Sequence, residues 1–472
     1  MSADFFTQVA LLSLFTVASY TIGRICFRLL QVELPNFAKA GAALLTGFAL
    51  LVLQLGLYSL VGLKFNGFWL YTPWVLAGLV LLWNSRKAAL PRITIEPLKW
   101  LHYWLDLSLL DKLISIILVG TLGALLVLQL SLPLYAWDVT AIWFQKAKHF
   151  YFFGGIDYSL VFDYSHKDYP VAYPLIVDAF YLIGIGFNDQ LALGINYLFL
   201  LAACGLFYGF FRNKLPIWAA LALPLTMLLM PPVYTMNFDR YYVAYADFPL
   251  GVVVLFYAVA FTSWVESEQA SHLALTLIAL ALAGSMKNEG ITFTLLGLLS
   301  IGIVLLIRYR QILSLLKSVR IMIVASILLF SILGWNFYTK LNKFETDISI
   351  GFNPDRFFEQ LPERYDTIVK MIGSELASDV RYVGLGVMLL LGFASLFATR
   401  NRLSLALVLL WLVLWGQAAI YIAIYVITPL DIRYHISSTL TRLLTHLIPL
   451  AIFTFGLGLA NLNQSNRRLM NQ

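Results

Sequence analysis

Residues 171–187 read VAYPLIVDAFYLIGIGF, and whether they cross a membrane decides the sidedness of everything that follows. Their length and apolarity suit a crossing, since a helix of about 20 residues covers the hydrocarbon core. Two prolines, Pro170 and Pro174, stand at the start, and Asp178 lies inside. A carboxylate is expensive in a spanning helix, and proline marks a helix beginning. The segment is therefore expected to be a membrane-surface or re-entrant helix.

The apolar character extends along the whole chain. Of 472 residues 60% are hydrophobic and only 12% charged, with a mean hydropathy of +0.81. Soluble chains carry about 25% charged residues. The expected fold class is all-α, a polytopic integral membrane protein with about thirteen spans, at 5–23, 40–62, 68–83, 113–134, 190–211, 216–234, 248–265, 271–285, 291–307, 320–338, 383–399, 403–427 and 441–460. No hydrophilic stretch is long enough for a separate globular domain, and the longest polar segments are loops near 135–170 and 339–382. Residues 1–112 would hold three spans and a basic loop, and 113–338 a central module with its loop 135–189. A large loop at 339–382 and the last spans at 383–472 complete the chain. The start, MSADFFTQVALLSLF, lacks a basic n-region and reads as a first span. Cys26 and Cys204 lie in or beside apolar runs and give no disulfide or metal framework.

Leaving 171–187 out of the spans puts the basic loops on one side. The loops 24–39, 84–112, 212–215, 266–270, 308–319 and 400–402, with the tail and Arg320 at the edge of its span, hold 18 of the 32 Lys and Arg residues. The other side holds 19 of the 25 acids. Positive residues concentrate in short cytoplasmic loops, so the pI of about 9.1 reflects topology and implies no nucleic-acid partner. The expected location is the inner (plasma) membrane, with the polar chemistry on the extracytoplasmic side. There is no internal repeat of the kind many transporters show.

Several charged residues sit at that boundary. Asp138, in PLYAWDVTAIWFQKAKHFY, could act as a general base where water is excluded, or simply cap a helix. Asp247, in ADFPLGVVVL, shares its face and would also serve as a helix start. Lys287 and Glu289, in AGSMKNEGITF, lie between two apolar runs, where charges are paired or functional. The segment TPLDIRYHISSTLTRLLTHLIPL brings Asp431, Arg433, His435, Arg442 and His446 to the same boundary. Arg442 and His446 are four apart on one helical face, and an arginine fork suits phosphate. His166, Asp168 and Tyr169, in SHKDYPVAYPL, precede the surface helix and read equally well as loop polarity. No phosphate-loop, HExxH, CxxC or GxSxG motif occurs, and the histidines are too scattered for metal-ligand spacing.

Taken in order, WDVTAIWFQKAK, KDYPVAYPL, ADFPL, MKNEG and TPLDIRYHISSTLTRLLTHLIP resemble the GT-C glycosyltransferases, membrane enzymes that take sugar from a polyprenyl-phosphate donor. The pattern is similar to protein mannosyltransferases and to the aminoarabinose transferase of lipid A, and closer still to a group of bacterial GT-C-like membrane proteins. It covers roughly residues 113–450. The resemblance implies that Asp138 is the catalytic base and that Asp247 positions the acceptor or a metal. It implies that Lys287 binds the donor phosphate, joined by Arg442, Arg433 and His435 from the residue reading, with His166, Asp168, Tyr169 and Glu289 toward the acceptor. Trp-Asp-Val lacks the paired acids of metal-dependent members, so no metal or other cofactor is indicated. The partners would be the lipid bilayer, a polyprenyl-phosphate-linked sugar, and a lipid, glycan or protein acceptor. A flippase for lipid-linked sugars and a non-catalytic envelope-assembly protein are the competing classes.

Overall fold

The computed structural model describes residues 3–85, 104–157, 166–183, 186–239, 243–311, 318–344, 354–398 and 402–470. The expected basic loop 84–112, Arg240, and parts of the loops 135–189 and 339–382 lie partly or wholly outside them. Among the described residues there is no strand. The helices are α1 (Ala3–Leu30), α2 (Asn36–Leu60), α3 (Gly67–Ser85), α4 (Leu109–Ser131), α5 (Phe144–Phe153), α6 (Ala172–Ile183), α7 (Gly194–Phe211), α8 (Ile217–Leu229), α9 (Pro231–Phe238), α10 (Asp247–Ser267), α11 (Ala270–Met286), α12 (Asn288–Ile307), α13 (Val319–Leu341), α14 (Pro354–Ala377), α15 (Val380–Ala398), α16 (Arg402–Ile427) and α17 (Ile432–Met470). Among the described residues ten helices are long and apolar enough to cross a membrane, eleven if α8 and α9, bent by 66° at their junction, form one span. The chain is thus a multi-pass membrane protein. The apolar helices α3, α6 and α11 are shorter.

A helix that is apolar on every side lies either inside the bundle or against lipid, and burial tells the two apart. α10 lies inside: its apolar window is buried throughout, and it packs against α7, α11, α16 and α17. Gly251 allows a close approach to α17. A Cβ there would stand 2.7 Å from the Thr445 carbonyl oxygen of α17, so the two backbones meet beside the residues described below. By contrast, α4, α13 and α15 expose most of their length, as lipid-facing helices do.

Helix α6 is only 12 residues long, about 18 Å at 1.5 Å per residue, against a hydrocarbon core of about 30 Å. Its start reaches the turn before α10, where the Tyr173 hydroxyl donates to the Ala244 carbonyl at 3.0 Å. Its end meets Gly67, whose built Cβ would be 2.2 Å from the Leu182 carbonyl oxygen. Nearby, the Tyr71 hydroxyl donates to the Ala179 carbonyl at 2.7 Å.

Loops expected to share a face do meet. At one end of the bundle, Lys214 pairs with Glu266 at 2.6 Å, His272 contacts the Glu33 carbonyl at 2.8 Å, and Arg320 donates to Gln31 at 3.0 Å. At the other end, Lys64 donates to the Phe153 carbonyl at 2.9 Å and Asn288 to Asp168 at 2.5 Å.

The region expected to be a loop at 339–382 is largely a helix, α14, of 24 residues. Phe357, Leu361, Ile368, Met371 and Ile372 recur at helical spacing and pack onto the core. Asp355, Glu359, Glu363, Asp366 and Lys370 lie on the remaining surface. Arg364 anchors the helix by donating to the Val426 carbonyl at 3.0 Å and the Thr428 carbonyl at 2.8 Å, oxygens that α16 leaves unpaired at its C-terminus.

Candidate functional site

Three charged residues of the site, Asp138, Asp247 and Lys287, are delivered by local breaks in helical structure. Asp138 begins a π-helical turn, Val139–Trp143, seven residues beyond α4. Such wide turns cluster at functional sites. Asp138 makes no capping hydrogen bond through its side chain, so the cap reading does not account for it. Asp247 occupies the first turn of α10, after a turn in which Ala244 takes a left-handed φ of 64°. That conformation costs a non-glycine residue roughly 1–2 kcal/mol. Here it is held by Tyr173 and by Asn196, whose amide donates to the Tyr245 carbonyl at 3.3 Å.

Lys287 is the extended residue between α11 and α12, with φ −159° and ψ 159°. The corner is tight because of Gly290, where a Cβ would fall 1.9 Å from the Ala283 carbonyl oxygen. Gly290→Ala is therefore expected to force α11 and α12 apart and cost about 1–3 kcal/mol, read as a lowered melting temperature in detergent. An unchanged Tm would show that the corner yields freely.

These three breaks converge on α17. Arg442 donates through Nη2 to Asp138 Oδ2 at 2.6 Å, and its Nε lies 3.5 Å from Asp247 Oδ2. Lys287 Nζ is 2.7 Å from Asp247 Oδ1 and 3.0 Å from Glu289 Oε1. His446, one turn beyond Arg442, places Nε2 3.1 Å from Asp247 Oδ1. Asp138, Asp247, Lys287 and His446 are all buried. One arginine touches both Asp138 and Asp247, so the two acids lie at the same end of the bundle.

The cluster sets three carboxylates, Asp138, Asp247 and Glu289, against two cations, Lys287 and Arg442. Burial pushes the Asp138 carboxyl above the usual carboxylate range, and the Arg442 guanidinium opposes that rise. The Tyr421 hydroxyl lies 2.7 Å from His446 Nδ1. Because the Asp247 carboxylate can only accept, it takes the Nε2 proton, and Nδ1 then accepts from Tyr421. Behind this pair, the Thr292 hydroxyl donates to Gln417 at 2.8 Å.

The 166–169 segment forms the neighbouring wall. Tyr169 stacks between Trp143 at 5.5 Å and His166 at 4.6 Å, and Lys287 Nζ lies 5.8 Å from its ring centre. Asp168 accepts from Asn288 and through its carbonyl from the Trp335 indole at 2.8 Å. Its carboxyl is pushed up by burial, against the Asn288 hydrogen bond. Lys146, buried on α5, donates to the His166 carbonyl at 2.7 Å, and burial lowers its amine to about 7.

Asp138, Asp247, Lys287, Glu289 and Arg442 therefore meet, with Asp168, Tyr169 and His166 adjoining them. Arg433 and His435 stand apart from this meeting. Arg433 is exposed on the first turn of α17, about 13 Å along the axis from Arg442 at 1.5 Å per residue. His435 packs edge-on against Tyr425 at 5.3 Å. The apolar stretch 441–460 suggested that the last helix begins near Arg442. It begins at Ile432, where Asp431 accepts from the Tyr434 amide at 2.9 Å, and this sets the two residues more than one turn away.

Sequence reasoning missed Tyr421, Gln417, Tyr245, Asn288, Lys146 and Trp335. A glutamine and tyrosines inside apolar spans were the only available signal. Among the described residues no group of three or more His, Cys, Asp or Glu side chains could hold a metal ion. The chain matches no protein-family model, and no curated protein or solved structure matches it either.

Proposed function

We propose that this protein is a membrane glycosyltransferase of the GT-C type, with thirteen membrane crossings and its site at the extracytoplasmic face. It would transfer a sugar from a polyprenyl-phosphate donor to an acceptor hydroxyl of a lipid, glycan or protein. The acceptor oxygen attacks the anomeric carbon as the bond to the phosphate oxygen breaks, which inverts the configuration. The acceptor proton passes to Asp138, and the bonding electrons leave with polyprenyl phosphate. Lys287 and Arg442 stabilise the charge on the departing phosphate, an electrostatic role worth several kcal/mol in such sites.

The observation that carries this reading is the meeting of a buried acid, Asp138, with the part-buried Arg442, which shares Asp247 with the buried Lys287 at one end of an apolar bundle. General-base and phosphate-binding groups are thereby side by side. A second feature supports a lipid-linked donor. An apolar groove of about 250 Å3 runs between α2, α6 and α13, lined by Leu53, Leu57, Val171, Leu175 and Phe330. Trp335 and Ser285 also line it, so it adjoins both the Asp168 carbonyl and the Lys287 corner. A prenyl chain fits such a lining, with its phosphate toward Lys287.

The test is reconstitution in vesicles with a fluorescent polyprenyl-phosphate sugar and a panel of acceptors. Acceptor-dependent release of polyprenyl phosphate is expected. Movement of the intact lipid across the bilayer without cleavage would replace this reading with a flippase.

A further inference from the structure

Arg442 does not wait open for a ligand: its Nη2 is bonded to Asp138 Oδ2 at 2.6 Å. If Asp138 is the base and Arg442 holds the donor phosphate, that contact cannot persist during the reaction. An in-line displacement puts the attacking oxygen and the anomeric carbon between base and leaving group, with reacting atoms about 3–3.5 Å apart. A direct bond between the two side chains leaves no room for either.

The rest of the cluster is arranged so that the bond can open. Arg442 has a second anchor, Asp247, at 3.5 Å, and its guanidinium rests over the Tyr245 ring at 5.1 Å. Its Nε and Asp247 Oδ2 are buried without a hydrogen-bond partner, so the guanidinium has an unused donor that a phosphate oxygen could take. Asp138 is separately tethered, its amide 3.4 Å from the Tyr245 hydroxyl. Each residue thus keeps a contact besides the other.

We infer that Asp138 acts as a latch on the anion site: its carboxylate fills Arg442 in place of the ligand phosphate, and phosphate binding frees the base. This deepens, and rests on, the reading of Lys287 and Arg442 as the phosphate-binding pair. Phosphate and Asp138 compete for one guanidinium, so the donor arms the base before the acceptor hydroxyl engages it. The unloaded enzyme keeps its base neutralised, which protects it from idle proton transfer to water.

The consequence is unusual for a catalytic substitution: Asp138→Asn should bind phosphate more tightly. The probe is farnesyl phosphate, with farnesol as the uncharged control, titrated into protein in nanodiscs. Losing one charge-assisted hydrogen bond of the latch is expected to tighten farnesyl phosphate binding about ten- to a hundredfold and leave farnesol unchanged. Asp138→Ala should behave likewise, which covers any local misfolding of the Asn variant. In an Arg442→Gln background, Asp138→Asn should change the Kd by less than about threefold.

Equal or weaker binding by both Asp138 variants overturns the latch. A gain that persists without Arg442 also overturns it, because it would report only the loss of a negative charge. If wild type and variants alike prefer farnesol, the phosphate reading itself falls and the latch with it. The proton-accepting role of Asp138 is judged independently, by turnover.

Discussion

Asp247→Ala is expected to lower the unfolding free energy by about 3–5 kcal/mol, the cost of removing one partner from a buried ion pair. Asp247 is wholly buried and is the only described carboxylate that contacts Lys287, Arg442 and His446 together. Removing it takes one of two carboxylate partners from each of Lys287 and Arg442, which keep only Glu289 and Asp138, and leaves His446 Nε2 without its acceptor. Combined with Lys287→Met the losses should be less than additive, because each single change already removes the same Lys287–Asp247 contact. Denaturant titration of the four proteins in a single detergent gives the cycle. An Asp247→Ala variant within about 0.5 kcal/mol of wild type would mean that the cluster does not hold these helices together.

Asp138→Asn is expected to reduce turnover by about 100- to 10,000-fold, the range a positioned general base supplies, with the protein still folded. Asparagine keeps the size of the side chain and loses its basicity and charge. The pH profile carries the same argument with a defined sign. Burial raises the Asp138 carboxyl, and the base works only when ionised. Activity should therefore fall with decreasing pH at a limb above the ordinary aspartate value of about 3.9. Arg442 opposes the rise, so Arg442→Gln should move that limb further up in pH. Undiminished turnover by the Asn variant, or an acid limb below the ordinary value, would remove Asp138 from this role.

How much of this was legible in the sequence follows from what a sequence can mark. A charge within an apolar run is conspicuous because lipid makes it costly, and that signal found Asp138, Asp247, Lys287, Glu289 and Arg442. Tyr421 and Gln417 carry no charge and sit in a long apolar helix, so nothing separates them from ordinary core or lipid-facing residues. Lys146 was hidden differently. It lies in a polar stretch where lysines are normally solvated, and only the fold shows it enclosed and bonded to the His166 carbonyl. Arg433 and His435 were grouped with Arg442 because they are close in sequence. A continuous helix converts that closeness into axial distance. The helix in 354–377 was readable from its apolar spacing, but its many charges favoured reading it as a loop.

The shortness of α6 has a consequence for how the chain is made. As it emerges, 171–187 offers the insertion machinery an apolar stretch of nearly spanning length. On insertion scales an aspartate at a helix centre costs about 2.5–3.5 kcal/mol, enough to turn a marginal segment away from the bilayer. Asp178, buried with both carboxylate oxygens lacking a hydrogen-bond partner, contributes nothing visible to the finished fold. In the proposed topology of thirteen crossings, keeping this helix from threading would set the orientation of every later helix, and so deliver Arg442 to the same leaflet as Asp138.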